Sequence, residues 1–228
     1  YSQGHIEGAV NIPLSDVVSS TPVPNSLPPA KQVEEVMGKN GISNDTTVII
    51  YDINKNMNAA RLWWTLLVYG HQDAKVVSGG LNAMREAGFS LTTESPEPVP
   101  AQFSISEKNP AFIAAKDEVL SQVNQPDENV VLLDTRTVEE FSQGTIPGSV
   151  LFDYANNNFQ DGKYKPVQHI KIQYMEQGVT PEITAIMYCK TSVRAAQTFL
   201  ALYNAGYRNI KVYDGAWTEW SSDSSLPL

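Results

Sequence analysis

The chain has 228 residues, 42% of them hydrophobic, with a net charge of -9 and a single cysteine. That length suits one large domain or two of about 110 residues, and no window approaches the roughly 18 consecutive apolar residues of a membrane-spanning helix. The acidic balance argues against nucleic acid as a main partner, because phosphate binding needs a basic surface. One cysteine excludes an internal disulfide, so cysteine pairing gives no guide to compartment. Tyr1 opens the sequence with no targeting segment, which leaves cytoplasmic and exported locations both open.

The chain begins Tyr1-Ser2-Gln3-Gly4-His5-Ile6-Glu7-Gly8-Ala9-Val10. The apolar run Thr47-Val48-Ile49-Ile50-Tyr51-Asp52 predicts a strand. Trp63 and Trp64 are adjacent and cannot share one helix face, which assigns one to the core and the other to the core or a domain interface. Val68-Tyr69-Gly70-His71 and Lys75-Val76-Val77-Ser78-Gly79-Gly80 follow. Thr92 to Pro100 is proline-rich without apolar periodicity and reads as an extended linker. Beyond it, residues 111–123 predict a helix and 129–134 a buried strand ending in Asp134. Thr137, with Glu140 at the third position beyond it, predicts a capping box opening a short helix to Phe141. Tyr154-Ala155-Asn156-Asn157-Asn158-Phe159 reads as a polar loop, a plain connector or a segment overhanging the site. A helix over 165–177 entering after Pro166, a strand over 183–188, a helix over 195–204 and a strand over 209–213 complete the series, with Trp217 and Trp220 packing a final helix.

The elements repeat. Phe141 to Val150 matches Tyr1 to Val10 at an offset of 140, and Ala185 to Cys189 matches Thr47 to Asp52 in pattern. Asn204 to Tyr207 matches Val68 to His71, and Lys211 to Ala216 matches Lys75 to Gly80, both at an offset of 136. Ordered matches of this kind indicate a duplicated pair of domains. Strands alternating with helices predict α/β domains, each built on a mainly parallel central sheet flanked by helices. The expected boundaries are a first domain at 1–92, a linker at 93–102 and a second domain at 103–228. The second copy has a strand and Asp134-Thr135-Arg136 ahead of its Phe-Ser-Gln-Gly, whereas the first begins at Tyr-Ser-Gln-Gly. The first domain is therefore expected to lack its first strand, as in a cleaved or incompletely represented chain, and to expose sheet edges.

Cys189 lies in Tyr188-Cys189-Lys190-Thr191-Ser192-Val193-Arg194-Ala195, between a predicted strand and a predicted helix. A thiol at that turn faces unpaired backbone N–H groups and the positive end of a helix dipole, and both favour the nucleophilic thiolate. The polar and basic flank of Lys190, Thr191, Ser192 and Arg194 suits an anion-binding loop better than a core. Asp52 holds the equivalent position in the first copy. His5, His71 and His169 lack metal-ligand spacing, and no Gly-rich nucleotide loop is present.

Leu133-Asp134-Thr135-Arg136 with Glu140-Phe141, Gly144-Thr145-Ile146-Pro147-Gly148-Ser149, the Cys189–Arg194 loop and Val212-Tyr213-Asp214-Gly215-Ala216-Trp217-Thr218-Glu219-Trp220 together resemble the rhodanese family, specifically its tandem-domain sulfurtransferases. Ala60-Arg61-Leu62-Trp63-Trp64 and Tyr69-Gly70-His71 are similar to the non-catalytic partner domain of that family. Two positions depart from the pattern. Thr145 stands where a histidine is common, and Glu140 stands where mammalian-type members carry a substrate-binding arginine.

The resemblance implies double displacement through a Cys189 persulfide. Backbone N–H groups of residues 190–194 would hold the terminal sulfur, with Lys190, Thr191, Ser192, Val193 and Arg194 as donor contacts, Arg136 as either a donor contact or a brace paired with Asp134 or Glu140, and Asp134 and Glu140 as structural support. It implies no cofactor and no metal. The partners expected are a thiosulfate-like anion, a cyanide or thiol acceptor, and a sulfur-accepting protein. The Cys-x4-Arg loop is one residue shorter than that of the related dual-specificity phosphatases, and its two cations resemble the thiosulfate type more than the mercaptopyruvate type. A mercaptopyruvate sulfurtransferase, a phosphatase or arsenate reductase, and a non-turnover persulfide carrier are the competing expectations.

Overall fold

Thr184–Tyr188 is buried along almost its whole length on both faces, the property of a central parallel strand covered by helices above and below. In the computed structural model, which describes residues 1–228, this strand organises the second of two compact units. Unit 1 comprises residues 1–19, 27–109 and 160–163, and unit 2 comprises 20–26, 110–159 and 164–228.

The strands of unit 2 are β5 (Ile113–Ala114), β6 (Val130–Asp134), β7 (Val150–Leu151), β8 (Thr184–Tyr188) and β9 (Ile210–Tyr213). They form one parallel sheet in the order β5-β9-β8-β6-β7. Its helices are α4 (Lys116–Asn124), α5 (Val138–Ser142), α6 (Val167–Met175), α7 (Val193–Asn204) and α8 (Ala216–Ser222). On one face Ile186 and Tyr188 of β8 join Leu132, Tyr213, Val119 of α4 and Trp220 of α8 in a single apolar cluster. Residues on the other face of the strand, Ala185 and Met187, are equally buried. The predicted capping box is present, with Thr137 and Glu140 satisfying each other's backbone N–H groups at the start of α5. The helix expected over 111–123 divides into a 3-10 turn, the edge strand β5 paired to β9, and α4. Ile113 and Ala114 pair in parallel with Val212 and Tyr213 as the edge strand of the sheet.

Unit 1 contains β1 (His5–Ile6), α1 (Ala30–Lys39), β2 (Val48–Ile50), α2 (Met57–Val68), β3 (Ala74–Val76), α3 (Gly80–Glu86) and β4 (Leu91–Thr92). β2 and β3 pair in parallel and β1 and β4 antiparallel. The parallel sheet here is thus two-stranded. Where β6 lies between β7 and β8 in unit 2, unit 1 has a cavity of about 520 Å³ lined by Val10, Asn11 and Ile12 and by Val48, Ile49 and Ile50. Trp63 and Trp64 are both buried, so α2 is a core helix nearly all round, and the Trp63 indole N–H donates to the Ala74 carbonyl at 3.0 Å. The segment expected as a linker packs within unit 1: Ala101 N–H donates to Gly38 O, and the buried His5 ring contacts Glu94 O. Main-chain pairing, not composition, decides where that segment belongs.

Candidate active site

β8 ends at Tyr188 and delivers Cys189, only 1% exposed, to the carboxyl edge of the sheet. Four residues, 189–192, carry the chain to α7, whose N-cap Ser192 adopts the left-handed conformation at φ 68°. This sharp turn works because Ser192 is locked from below: its buried hydroxyl donates to the Asp214 carbonyl at 2.6 Å. The outer side of the turn is fixed by α8. Trp217 N–H donates to the Cys189 carbonyl at 2.9 Å, and the Thr218 hydroxyl donates to the Lys190 carbonyl at 2.6 Å. With those carbonyls committed to α8, the N–H groups in the first turn of α7 have no carbonyl within their own helix to bond. The loop therefore offers donors and a positive dipole end where the thiol sits.

Arg194, in the first turn of α7, reaches across to α5. Its Nη1 and Nη2 donate to the two carboxylate oxygens of Glu140 at 2.6 and 2.8 Å. The Arg194 hydrogen bonds hold the Glu140 carboxyl down at about 2. Burial works against the Arg194 charge, but Glu140 and the adjacent Cys189 sulfur more than offset it and keep the guanidinium protonated. The Tyr154 ring lies 5.6 Å from the guanidinium carbon, and burial raises its phenol above the usual range. Residues 154–157 are a 3-10 turn, not a plain connector, and Asn157 is buried against Gln197, Thr198 and Tyr174.

Of its two expected roles, Arg136 makes the contacts of a brace. It is 2% exposed, and its Nε and Nη2 are committed to Asp134, with Nη2 also donating to Gly144 O at 2.6 Å. Trp217 covers the guanidinium at 4.5 Å. The pair ties β6 to the loop after α5, and the reason is local: Asp134 ends a buried strand, and an unpaired carboxylate there would be costly. Thr145, at the position of the missing histidine, bridges Asp134 and the Tyr188 hydroxyl at 3.1 and 2.7 Å. The Ser192 side chain is likewise turned into the sheet end, which leaves its backbone as its contribution to the loop. Lys190 is exposed, and Thr191 and Val193 are half-buried. Thr191 Oγ1 accepts from Asn25 Nδ2 at 2.9 Å, within unit 2. Asn25, Tyr154 and Trp217 are the site residues that sequence reasoning missed or misplaced. Trp217 lay in the Val212–Trp220 segment and Tyr154 in a loop that could overhang the site, while the signal for Asn25 was the Pro24-Asn25 turn pair.

Cys189 thus heads a strand-to-helix loop at the carboxyl edge of a parallel α/β sheet, where open α/β sheets place their sites. A family profile described as "Rhodanese-like domain" matches residues 1–87 and again 116–223. The chain belongs to the rhodanese family, as two tandem copies of its domain, and is of the sulfurtransferase type. It is 32% identical to a Mycolicibacterium smegmatis protein named "Putative thiosulfate sulfurtransferase", over 100% of this chain and 87% of that one. It is 29% identical to the sulfur carrier protein TtuD of Thermus thermophilus, over 100% of this chain and 86% of that one. Among solved structures, the anaerobic ergothioneine biosynthesis enzyme from Chlorobium limicola superposes with a TM-score of 0.87 at 23% identity and shares the fold. All of this chain is covered in that match, which spans 60% of the solved chain.

Proposed function

We infer that the protein moves sulfane sulfur from thiosulfate to a thiophilic acceptor through a persulfide on Cys189. The observation that supports this reading best is the Cys189–Arg194 loop, with its thiol at the head, its first two carbonyls tied back to α8 and a fixed arginine at its end. In the first half-reaction the Cys189 thiolate attacks the outer sulfur of thiosulfate. A cysteine–sulfur bond forms, the sulfur–sulfonate bond breaks, and sulfite leaves with the bonding pair. In the second, cyanide or a thiolate attacks the terminal sulfur and the Cys189 thiolate is regenerated. Loop N–H groups stabilise the anionic terminal sulfur, and removing one such donor in comparable sites costs about 3 kcal/mol. Lys190 is the cation left to meet the sulfonate, since Arg194 is engaged by Glu140.

Unit 2 is the catalytic domain in this reading and unit 1 a non-catalytic partner domain, because Asp52 replaces the nucleophile. The name of the Thermus relative supports a sulfur-accepting protein as the physiological acceptor. Mercaptopyruvate is the second donor to test, and a persulfide carrier without turnover the second class. Thiocyanate release from thiosulfate and cyanide tests the reading: wild type is expected to turn over and Cys189→Ser to fall to background. Activity surviving that substitution overturns it. Mercaptopyruvate as the better donor would reassign the substrate.

A further inference from the structure

Residues 20–26 precede α1 in the chain yet belong to unit 2. Within them, Val23-Pro24-Asn25-Ser26 is a turn in which Ser26 N–H donates to Val23 O at 3.2 Å and Asn25 has φ 64°. Proline at the second position and a positive φ at the third are the requirements of a type II turn, and asparagine tolerates that φ better than other side-chain-bearing residues. The turn is clamped by the buried Ser26 side chain, whose hydroxyl donates to Val23 O at 2.7 Å and accepts from Val23 N–H at 3.3 Å. A rigid, local device thus presents one amide, and that amide meets the centre of the Cys189 loop.

We propose that Asn25 is a positioning residue that orients the Thr191 hydroxyl as a donor to the anionic group bound over Cys189. A threonine hydroxyl has one proton to give and two lone pairs to accept with. Asn25 Nδ2 fills a lone pair of Thr191 Oγ1 at 2.9 Å, so the bond between them leaves the Thr191 proton unspent. That proton lies on the second residue after Cys189, in a loop that also offers backbone N–H groups and the exposed Lys190 ammonium. The amide does not titrate, so this orientation holds at every pH at which the fold survives. The assignment deepens the sulfurtransferase reading and rests on it for the nature of the anion.

Asn25→Gly is the informative variant, because glycine keeps the positive φ of the turn and removes only the amide. It is expected to raise KM for thiosulfate about tenfold with kcat within about twofold, the pattern of a lost binding interaction. The same effect is expected in a Thr191→Ser background, which keeps the hydroxyl, and none in a Thr191→Val background, where there is no proton to orient. Asn25→Asp is expected to lose more than Asn25→Gly, because a carboxylate cannot donate and would take the Thr191 proton itself. Losses that multiply in the Thr191→Val background, or an Asn25→Asp protein that matches wild type, overturn the assignment. If wild type releases no thiocyanate, the sulfurtransferase reading fails, and Cys189 alkylation judges Asn25 alone. The rate preference for iodoacetate over iodoacetamide should then fall with Asn25→Gly only when residue 191 keeps its hydroxyl. A preference unmoved by Asn25→Gly contradicts the proposal.

Discussion

The two strand-to-helix loops, one headed by Cys189 and one by Asp52, are built on the same frame and filled differently. In unit 2, Trp217 N–H donates to the Cys189 carbonyl at 2.9 Å, and in unit 1 Leu81 N–H donates to the Asp52 carbonyl at 3.0 Å. Each loop closes on a left-handed helix N-cap, Ser192 at φ 68° and Asn56 at φ 65°. In unit 1 the anion is built in. Asp52 Oδ1 accepts from the N–H groups of Asn54 and Asn56, and Oδ2 from Ala59, at 2.9 to 3.0 Å. The head-to-cap span there is also one residue longer, 52 to 56 against 189 to 192. In unit 1 the residue at the head of the turn satisfies the loop N–H groups internally, and in the sulfurtransferase reading the unit 2 loop meets an anion from outside instead.

The largest effect should come from the head residue of the working loop. Cys189→Ser is expected to lower thiocyanate release by at least about a thousandfold, since the nucleophile is removed outright. Asp52→Cys in that background should recover none of it. The longer unit 1 loop carries Asn58 where unit 2 carries Arg194, each the second residue of its helix. Recovery of transfer there would break the comparison. Next comes Arg136→Ala, which strands the fully buried Asp134 and should cost about 3–5 kcal/mol by urea unfolding. Asp52→Ala removes a carboxylate that satisfies three N–H groups in a half-buried loop and should cost about 1–3 kcal/mol.

The smallest effect is the pH dependence of the Arg194–Glu140 pair. The Glu140 carboxyl sits at about 2 in the fold against its ordinary 4.5. A depressed carboxylate contributes stability that is fully present above 4.5 and is lost as pH falls toward 2. The wild-type unfolding midpoint should therefore decline across that window more steeply than that of Glu140→Gln. Equal slopes would mean that the pair contributes nothing to folding.

Much of this was legible in the sequence, for physical reasons that can be named. The strand ending at Tyr188 is apolar on both faces, which only a covered parallel strand needs. The Thr137–Glu140 box is a local device written within one turn. The duplicated segments revealed the pair of domains. Less legible was anything settled across long separations. The sequence made Arg136 either a brace or a donor contact, because the Asp134, Gly144 and Trp217 that enclose it come from different elements. Ile113 and Ala114 carry helical spacing, and only the presence of β9 makes them a strand. Asn25 lies 166 residues from Thr191, and no periodicity links them.

Intact mass after incubation with thiosulfate tests the central claim most directly. A wild-type species about 32 Da heavier, absent in Cys189→Ser and removed by cyanide with release of thiocyanate, is the predicted result. Turnover of thiosulfate without that adduct would contradict the account.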